Sequence, residues 1–333
     1  MRSLSSLFTK SFRGAGDRVR IIAPVSQWEA PFLLWDRAAA EAWIRSRLVP
    51  AGPIEIVHER PWATVMRVPL ANGSAWFKAC APVQDFEPRL TAALFGRWPD
   101  RVSEVLGHDE EHSWMLLADA GSPIKLLGNP PETWLAVLPL YAELQRGEAA
   151  HAGEHLAHGV PDLRIANLPA RYEDLLRHDL PLERDDITKL RTFAALFAEL
   201  CGELEALGMP ATIQHDDLHL TNVYARDERL RVLDWGDASI GHPFISLVET
   251  FRFLEKFNRL APTDPWFARL RDAYLEPWGS GFDGAFSLAH RVGAFAHAIA
   301  WVRQREALPE RARPKFDEGF AIVLRRAAAR TFE

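Results

Sequence analysis

Lysine is scarce in this chain: it occurs only at positions 10, 78, 125, 189, 256 and 315, although lysine and arginine together number 39. A lysine inside an apolar run is therefore informative, and Lys78 sits in one. Cysteine is scarcer still. Cys80 and Cys201 are the two present, and their separation gives no Cys-x-x-Cys spacing, so a disulfide framework and a thiolate zinc site have no support and both read as buried thiols. No stretch approaches the roughly 20 apolar residues of a membrane helix, and the start lacks the apolar core of a secretory signal. Charge of one sign does not accumulate either. A net charge of −6 without a basic stripe offers no grip on nucleic acid or on an anionic membrane. These absences lead to the expectation of a cytoplasmic protein with neither partner. Residues 1–20, rich in Ser and Arg, are read as a loose N-terminus.

What is present is ordinary globular material, 333 residues that are 48% hydrophobic and 25% charged, which suits a two-lobed protein. From 21 to 119 the apolar residues come in short runs. Ile54 to Val57, Val65 to Leu70 and Ala75 to Ala79 read as strands, with Asn72-Gly73 marking a tight hairpin turn between the last two. Ala38 to Leu48 and Phe86 to Leu94 have helical spacing, and Ser113 to Leu117 reads as a further strand. Ala120-Gly121-Ser122-Pro123 then breaks the pattern at a lobe boundary. Residues 120–333 are mainly helical, with amphipathic patterns over Glu132 to Gln145, Ala170 to Arg177, Asp186 to Leu207, Pro243 to Phe257, Trp266 to Leu275, Ala285 to Arg305 and Phe316 to Arg330. The stretch around His151, His155 and His158 is read as a surface or substrate-lobe loop. The predicted fold class is thus α+β, a small N-terminal lobe built on an antiparallel sheet and a larger helical lobe.

The helical part is interrupted once. Asn222 to Ala225 and Leu230 to Leu233 form a predicted hairpin, and around it lies the concentrated cluster of His, Asp and Asn: Gln214-His215-Asp216-Asp217-Leu218-His219-Leu220-Thr221-Asn222, then Leu233-Asp234-Trp235-Gly236-Asp237. Phosphoryl transfer requires a carboxylate to accept a hydrogen bond from the attacking hydroxyl, and oxygen ligands to hold Mg²⁺ against a triphosphate. Asp217, Asn222 and Asp234 have the side chains for those roles. Asp and Asn also serve as turn and cap residues.

The cluster resembles that of the aminoglycoside phosphotransferase and choline kinase family, whose catalytic segment runs His-Gly-Asp-x-x-x-x-Asn. His215, Asp217 and Asn222 stand at the matching positions, and Asp234-Trp235-Gly236 resembles the family's metal-binding Asp-x-Gly. The resemblance implies a two-lobed protein-kinase-like fold with the nucleotide lying in the cleft between lobes. It implies Asp217 as catalytic base or hydroxyl-orienting group and Asn222 and Asp234 as Mg²⁺ ligands; His215 is grouped with Asp217 in the catalytic set and is read as holding the loop through its ring nitrogens. It extends to the N-terminal half, where Ala63-Thr64 would bring backbone N–H groups to the phosphates, Lys78 would hold the α/β-phosphates and Glu87 would hold Lys78. Leu117, Ala118 and Asp119 would form the hinge that pairs with the base. The implied cofactors are ATP or GTP with Mg²⁺. The implied reaction is phosphoryl transfer to a hydroxyl of a small molecule, such as an aminoglycoside, a sugar or an amino alcohol.

The chain departs from that pattern in places. Asp216 replaces the usual glycine, and either sets a second carboxylate beside Asp217 or points into solvent. Ser246-Leu247-Val248 stands where relatives carry an Asp-Leu-Ala that braces the loop, and Leu220-Thr221 replaces Pro-Gly. Trp235 is expected to pack beneath the catalytic loop. Asp237, Glu249, Glu255, Asp272 and Glu276 are candidates to meet a cationic acceptor. Two other readings stay open: a metal-dependent hydrolase built on His215, Asp217, His219 and Asp234, and a catalytically silent relative that binds nucleotide or a partner. Nothing in the sequence indicates an oligomeric state.

Overall fold

A computed structural model describes residues 35–329; the N-terminal segment 1–20 lies outside the described residues. The chain divides into two compact units. One comprises the chain up to Tyr141 with His219–Gly236 and Phe253–Arg271; the other comprises Ala142–Leu218, Asp237–Arg252 and the chain from Asp272 onward. Among the described residues no helix is long and apolar enough to cross a membrane.

The first unit opens with α1 (Arg37–Arg45), whose exposed N–H groups are capped by Asp36: its carboxylate accepts from Ala38 N–H at 2.8 Å and Ala39 N–H at 3.1 Å. β1 (Glu55–Glu59), β2 (Ala63–Leu70) and β3 (Gly73–Cys80) follow, then α2 (Glu87–Arg97), β4 (Val105–Asp109) and β5 (Trp114–Ala118). The five strands form one antiparallel sheet in the order β1-β2-β3-β5-β4. The predicted hairpin is present: Leu70 pairs with Gly73, which takes φ +96° as the turn requires. Because side chains alternate along a strand, Ala75, Phe77 and Ala79 of β3 all enter the core with Met66, Val68, Trp114 and Ile44. Phe77 meets Trp43 and Trp114 edge-on, at centroid separations of 5.9 and 5.8 Å. Truncating such a buried aromatic to alanine removes about 3–5 kcal/mol.

Three later pieces complete this unit. β6 (Ser122–Pro123) pairs with β9 (Val223–Arg226), which forms the predicted hairpin with β10 (Arg229–Val232). Asp227 and Glu228 make its two-residue turn, both at positive φ. The break at Gly121 has a steric cause: at φ +94° a β-carbon there would sit 2.4 Å from the Ala225 carbonyl oxygen.

The second unit is mostly helical. It takes the end of α3 (Pro131–Glu148), then α4 (Ala152–Ala157), α5 (Leu168–Leu175), α6 (Arg184–Ala206), the start of α7 (Leu247–Asn258), the end of α8 (Pro265–Leu275), α9 (Asp283–Ala307) and α10 (Arg313–Ala329). Tyr172, Phe193, Phe197 and Phe295 pack α5, α6 and α9 together, and the Tyr172 hydroxyl donates to the Leu190 carbonyl at 2.9 Å. A three-stranded sheet, β7 (Asp162–Leu163), β11 (Ser239–Gly241) and β8 (Thr212–Gln214), sits in this unit with β11 central.

The structure corrects the sequence reading at several points. β4 went unrecognised because Val-Leu-Gly-His-Asp is only partly buried and its register is broken near Leu106. β7, β8 and β11 are two or three residues long, too short for a periodicity to register. The helix expected from Pro243 begins with a 3-10 turn, Pro243–Ser246, before α7. The stretch around His155 is helical rather than a surface loop: His155 is fully buried, with Nε2 2.6 Å from the equally buried Glu148 Oε2.

Candidate active site

In the first unit, Lys78 lies on the face of β3 opposite the aromatic core. A buried ammonium requires anionic partners, and two are present. Lys78 Nζ is 2.7 Å from Glu87 Oε2 and 2.6 Å from Asp234 Oδ1. Burial alone would depress the Lys78 pKa, but the Asp234 and Glu87 carboxylates outweigh it and hold the group well above its usual value, so it stays charged. Glu87, in the first turn of α2, is completely buried, and that burial raises its carboxyl against the pull of Lys78. The Cys80 thiol, two residues along β3, donates to Glu87 Oε2 at 3.4 Å. Burial, reinforced by Glu87, pushes this thiol well up, so it remains protonated. Sequence reasoning missed that contact, although Lys78 and Cys80 share a strand face.

Asp234 follows β10 and adopts φ +66°, a conformation that non-glycine residues rarely take. Asn222 precedes β9 at the same end of the hairpin, and its carbonyl accepts from Leu233 N–H at 2.9 Å. Its side-chain oxygen accepts from Thr221 Oγ1 at 3.2 Å. The Asp234 side chain is 53% exposed, so a second ligand has access to it. An amide oxygen and a carboxylate at one hairpin end form a hard oxygen donor set, which fits Mg²⁺. Gly236 packs closely on Gln84: a β-carbon there would fall 2.6 Å from the end of that side chain, which would have to shift. Trp235 is fully buried, with its indole N–H directed at the Val232 carbonyl at 3.3 Å.

Ala63 and Thr64 begin β2, buried, opposite Cys80 and Ala79. The Thr64 hydroxyl is buried and has no hydrogen-bond partner among the described residues. Leu117 and Ala118 close β5, with Ala118 N–H bonded to the Glu104 carbonyl at 2.9 Å. Asp119 forms a turn, its carboxylate accepting from Gly121 N–H at 3.0 Å and its carbonyl from Arg226 at 2.6 Å.

The Asp217 end of the motif belongs to the second unit, the division falling between Leu218 and His219. His215 is fully buried, and its Nδ1 accepts from Asp217 N–H at 3.3 Å. Thr250 Oγ1 donates to the Leu218 carbonyl at 2.7 Å. Asp216 points neither at solvent nor back along the loop: it is partly buried at φ +59° and accepts a hydrogen bond from Ser239. Burial lifts its pKa to about 6, with Ser239, His297 and Arg303 pulling the other way. It lines a small pocket with Gln214, Glu249 and His297. Ser246 bonds Gln145 at 3.1 Å and Gln214 at 3.5 Å, so an uncharged side chain occupies the bracing position. Of the acidic residues considered for a cationic acceptor, Glu249 is buried against Arg252 and His297, and Asp237 is hydrogen-bonded by Gln304.

The hydrolase alternative finds little here. Nδ1 of His219 accepts from Thr221 N–H at 3.2 Å, as that of His215 does from Asp217, so each ring closes its own loop turn. Among the described residues no three of His, Cys, Asp and Glu group so as to hold a metal ion.

In the first unit, Lys78 paired with Glu87 and Asp234, with the side-chain oxygens of Asn222 and Asp234 at one hairpin end, has the group types that phosphoryl transfer uses. Residues 128–285 match the phosphotransferase enzyme family. That span is somewhat under half of the chain; it includes His215, Asp217, Asn222 and Asp234 and begins after Lys78 and Glu87. The match bears out the resemblance read from the motif. No curated protein matches the sequence.

Solved structures share the fold. A choline/ethanolamine kinase family protein from Mesorhizobium loti superposes with a TM-score of 0.58 at 16% identity, covering 88% of this chain and 97% of that one. The GDP complex of aminoglycoside 2'-phosphotransferase-IIIa gives 0.59 at 15%, covering 90% and 100%. An amicoumacin kinase in complex with AMP-PNP, Ca²⁺ and Ami gives 0.58 at 10%, covering 89% and 94%. The fold is therefore the protein-kinase-like α+β fold expected from the sequence.

Proposed function

We propose that the protein transfers the γ-phosphoryl group of ATP or GTP to a hydroxyl of a small molecule, assisted by Mg²⁺, in the cytoplasm. The observation that carries this reading is Lys78, a charged ammonium held between the buried Glu87 and the exposed Asp234. That arrangement keeps a cation fixed beside a carboxylate with room for a ligand, as a polyphosphate and its metal require. The nucleotides in the two complexes named above, GDP and AMP-PNP, support a nucleoside triphosphate donor, and the Ca²⁺ of the second supports a divalent ion.

In this mechanism Asp217 accepts the hydrogen bond of the acceptor hydroxyl and takes its proton as the oxygen bonds to the γ-phosphorus. The bond to the β–γ bridging oxygen breaks, and the nucleoside diphosphate leaves. Lys78 binds the α/β-phosphates and Glu87 keeps its ammonium in place. Asn222 and Asp234 would hold Mg²⁺, which would supply charge neutralisation at the phosphate oxygens. Ala63 and Thr64 would lie along the phosphates, and Leu117, Ala118 and Asp119 beside the base.

The test is a thermal-shift titration with ATP and GTP, each with and without Mg²⁺, followed by an assay of diphosphate release over a panel of sugars, amino alcohols and aminoglycosides. A ligand that binds only the folded protein raises its melting temperature. Mg²⁺-dependent stabilisation and acceptor-dependent release are expected. Stabilisation without release by any acceptor would favour a silent nucleotide binder, and no stabilisation would remove the proposal.

A further inference from the structure

Asp216 stands where glycine is usual in the motif, and its backbone shows why glycine suits the position: φ is +59°, in the left-handed region. Aspartate is among the few other residues that enter it, and does so best when its side chain finds a local hydrogen bond. Here the partner is Ser239, itself buried at the start of β11, where it pairs with Gln214 of β8. The carboxylate therefore ties the turn after β8 to the neighbouring strand. Two further ties bracket Asp217. His215 Nδ1 accepts its N–H, and Thr250 Oγ1 holds the carbonyl of Leu218. Around Asp216, His297 and Arg303 of α9 offset the negative charge and Glu249 of α7 adds to it, although Glu249 is itself engaged by Arg252 and His297. Ser246 bonds Gln145 and Gln214.

We propose that Asp216 is a positioning residue for phosphoryl transfer: anchored on Ser239, its side chain holds the left-handed turn that aims Asp217. The role of Asp217 rests on the function proposed above; the tie between Asp216 and Ser239 does not. Two consequences separate positioning from mere packing. Asp216→Gly accepts the same backbone angle without strain, so the fold survives while the tie is lost. Asp216→Asn keeps both the angle and a hydrogen-bond acceptor, so it rescues.

The experiment compares the full-length wild type with Asp216→Gly, Asp216→Asn, Ser239→Ala and Asp216→Gly/Ser239→Ala. It measures amide hydrogen exchange over residues 215–218 and the release of diphosphate from Mg-ATP and Mg-GTP, with water as acceptor, resolved into kcat and nucleotide KM. Asp216→Gly should speed exchange in that segment about tenfold at an unchanged melting temperature. It should also lower kcat by about tenfold to a hundredfold, the scale expected for a displaced catalytic group, with KM little changed. Ser239→Ala should match it, the double variant should be no worse, and Asp216→Asn should stay near wild type. Unchanged exchange in Asp216→Gly overturns the tie. Loosened exchange with unchanged kcat, or Asp216→Asn falling as far as Asp216→Gly, overturns the positioning role. A wild type that releases no diphosphate counts against the proposed function, and the exchange data then decide the tie alone.

Discussion

Replacing Lys78 with methionine tests the electrostatic design of the first unit without reference to any ligand. Methionine fills much of the lysine stem's volume but leaves Glu87, which is 0% exposed, as a buried carboxylate without its cation. Removing one partner of a buried pair costs about 3–5 kcal/mol. The second contact, to the half-exposed Asp234, adds no more than the ~0–1 kcal/mol typical of a solvent-screened pair. For units of this size each kcal/mol moves the midpoint by about 2–4 °C, so Lys78→Met should melt about 6–20 °C below the wild type at pH 7.5. Glu87→Gln should cost less, because Lys78 keeps Asp234. The double variant Lys78→Met/Glu87→Gln removes both charges together and should be more stable than Lys78→Met alone, with a coupling of about 2–3 kcal/mol between the sites. Thermal and denaturant unfolding of the four proteins completes the cycle. A Lys78→Met protein within about 3 °C of wild type, or a double variant as unstable as the sum of the singles, would refute the claim that Glu87 is held by Lys78 in a dry environment.

Three other outcomes are expected. Asp217→Ala should reduce diphosphate release by about 10²–10⁴-fold while leaving the nucleotide-induced thermal shift intact, whereas Asp234→Ala should weaken the shift as well; equal loss of the shift in both would overturn the division of roles. Asp216, with its pKa raised by burial to about 6, retains a proton in the folded state that the unfolded chain releases near pH 4, so its stabilising contribution is full below pH 4 and is lost as pH rises through 6. The melting temperature of Asp216→Asn relative to wild type should therefore climb between pH 4.5 and 7.5, by at most about 3 kcal/mol in equivalent stability and by less for a carboxyl only partly shielded; a flat difference would contradict the raised pKa. Gly121→Ala combines a positive φ with a β-carbon 2.4 Å from the Ala225 carbonyl and should lose about 2–5 kcal/mol in a denaturant titration; a loss below about 0.5 kcal/mol would mean the turn relaxes freely.

Much of the site was legible before the structure because its signals are local. The alternation Ala75-x-Phe77-x-Ala79 makes Lys78 an intruder on a strand whose apolar residues have a core to face, and the hairpin signal at Asn72-Gly73 fixes the register of that strand. The spacing from Asp217 to Asn222 and the turn at Arg226-Asp227-Glu228-Arg229 place the side-chain oxygens of Asn222 and Asp234 at one end of a hairpin. Helix patterns of 3.6-residue period located α6, α7, α9 and α10 to within a few residues, since burial of one face imposes that period directly. The unread parts are those in which no period exists. A three-residue strand such as β11 completes barely one alternation, and His155 looked like a surface residue because Glu148, the side chain that permits its burial, is a full helix turn and more away in a different element.

The sequence by itself determined the longer elements and the chemical inventory: the β2–β3 and β9–β10 hairpins, the amphipathic helices, and the presence of carboxylates, an amide and a lysine of the kinds that phosphoryl transfer uses. Only the tertiary structure decided which of them meet. Lys78 and Asp234 are 156 residues apart, and no local pattern encodes their 2.6 Å contact. The direction of Asp216 was equally undecided. A carboxylate in a left-handed turn can face water or the protein, and what settles it is whether a hydroxyl such as that of Ser239, on another strand, is brought within reach. Local periodicity follows from backbone geometry and burial over a few residues, whereas such contacts depend on how distant segments pack, which is a property of the whole chain.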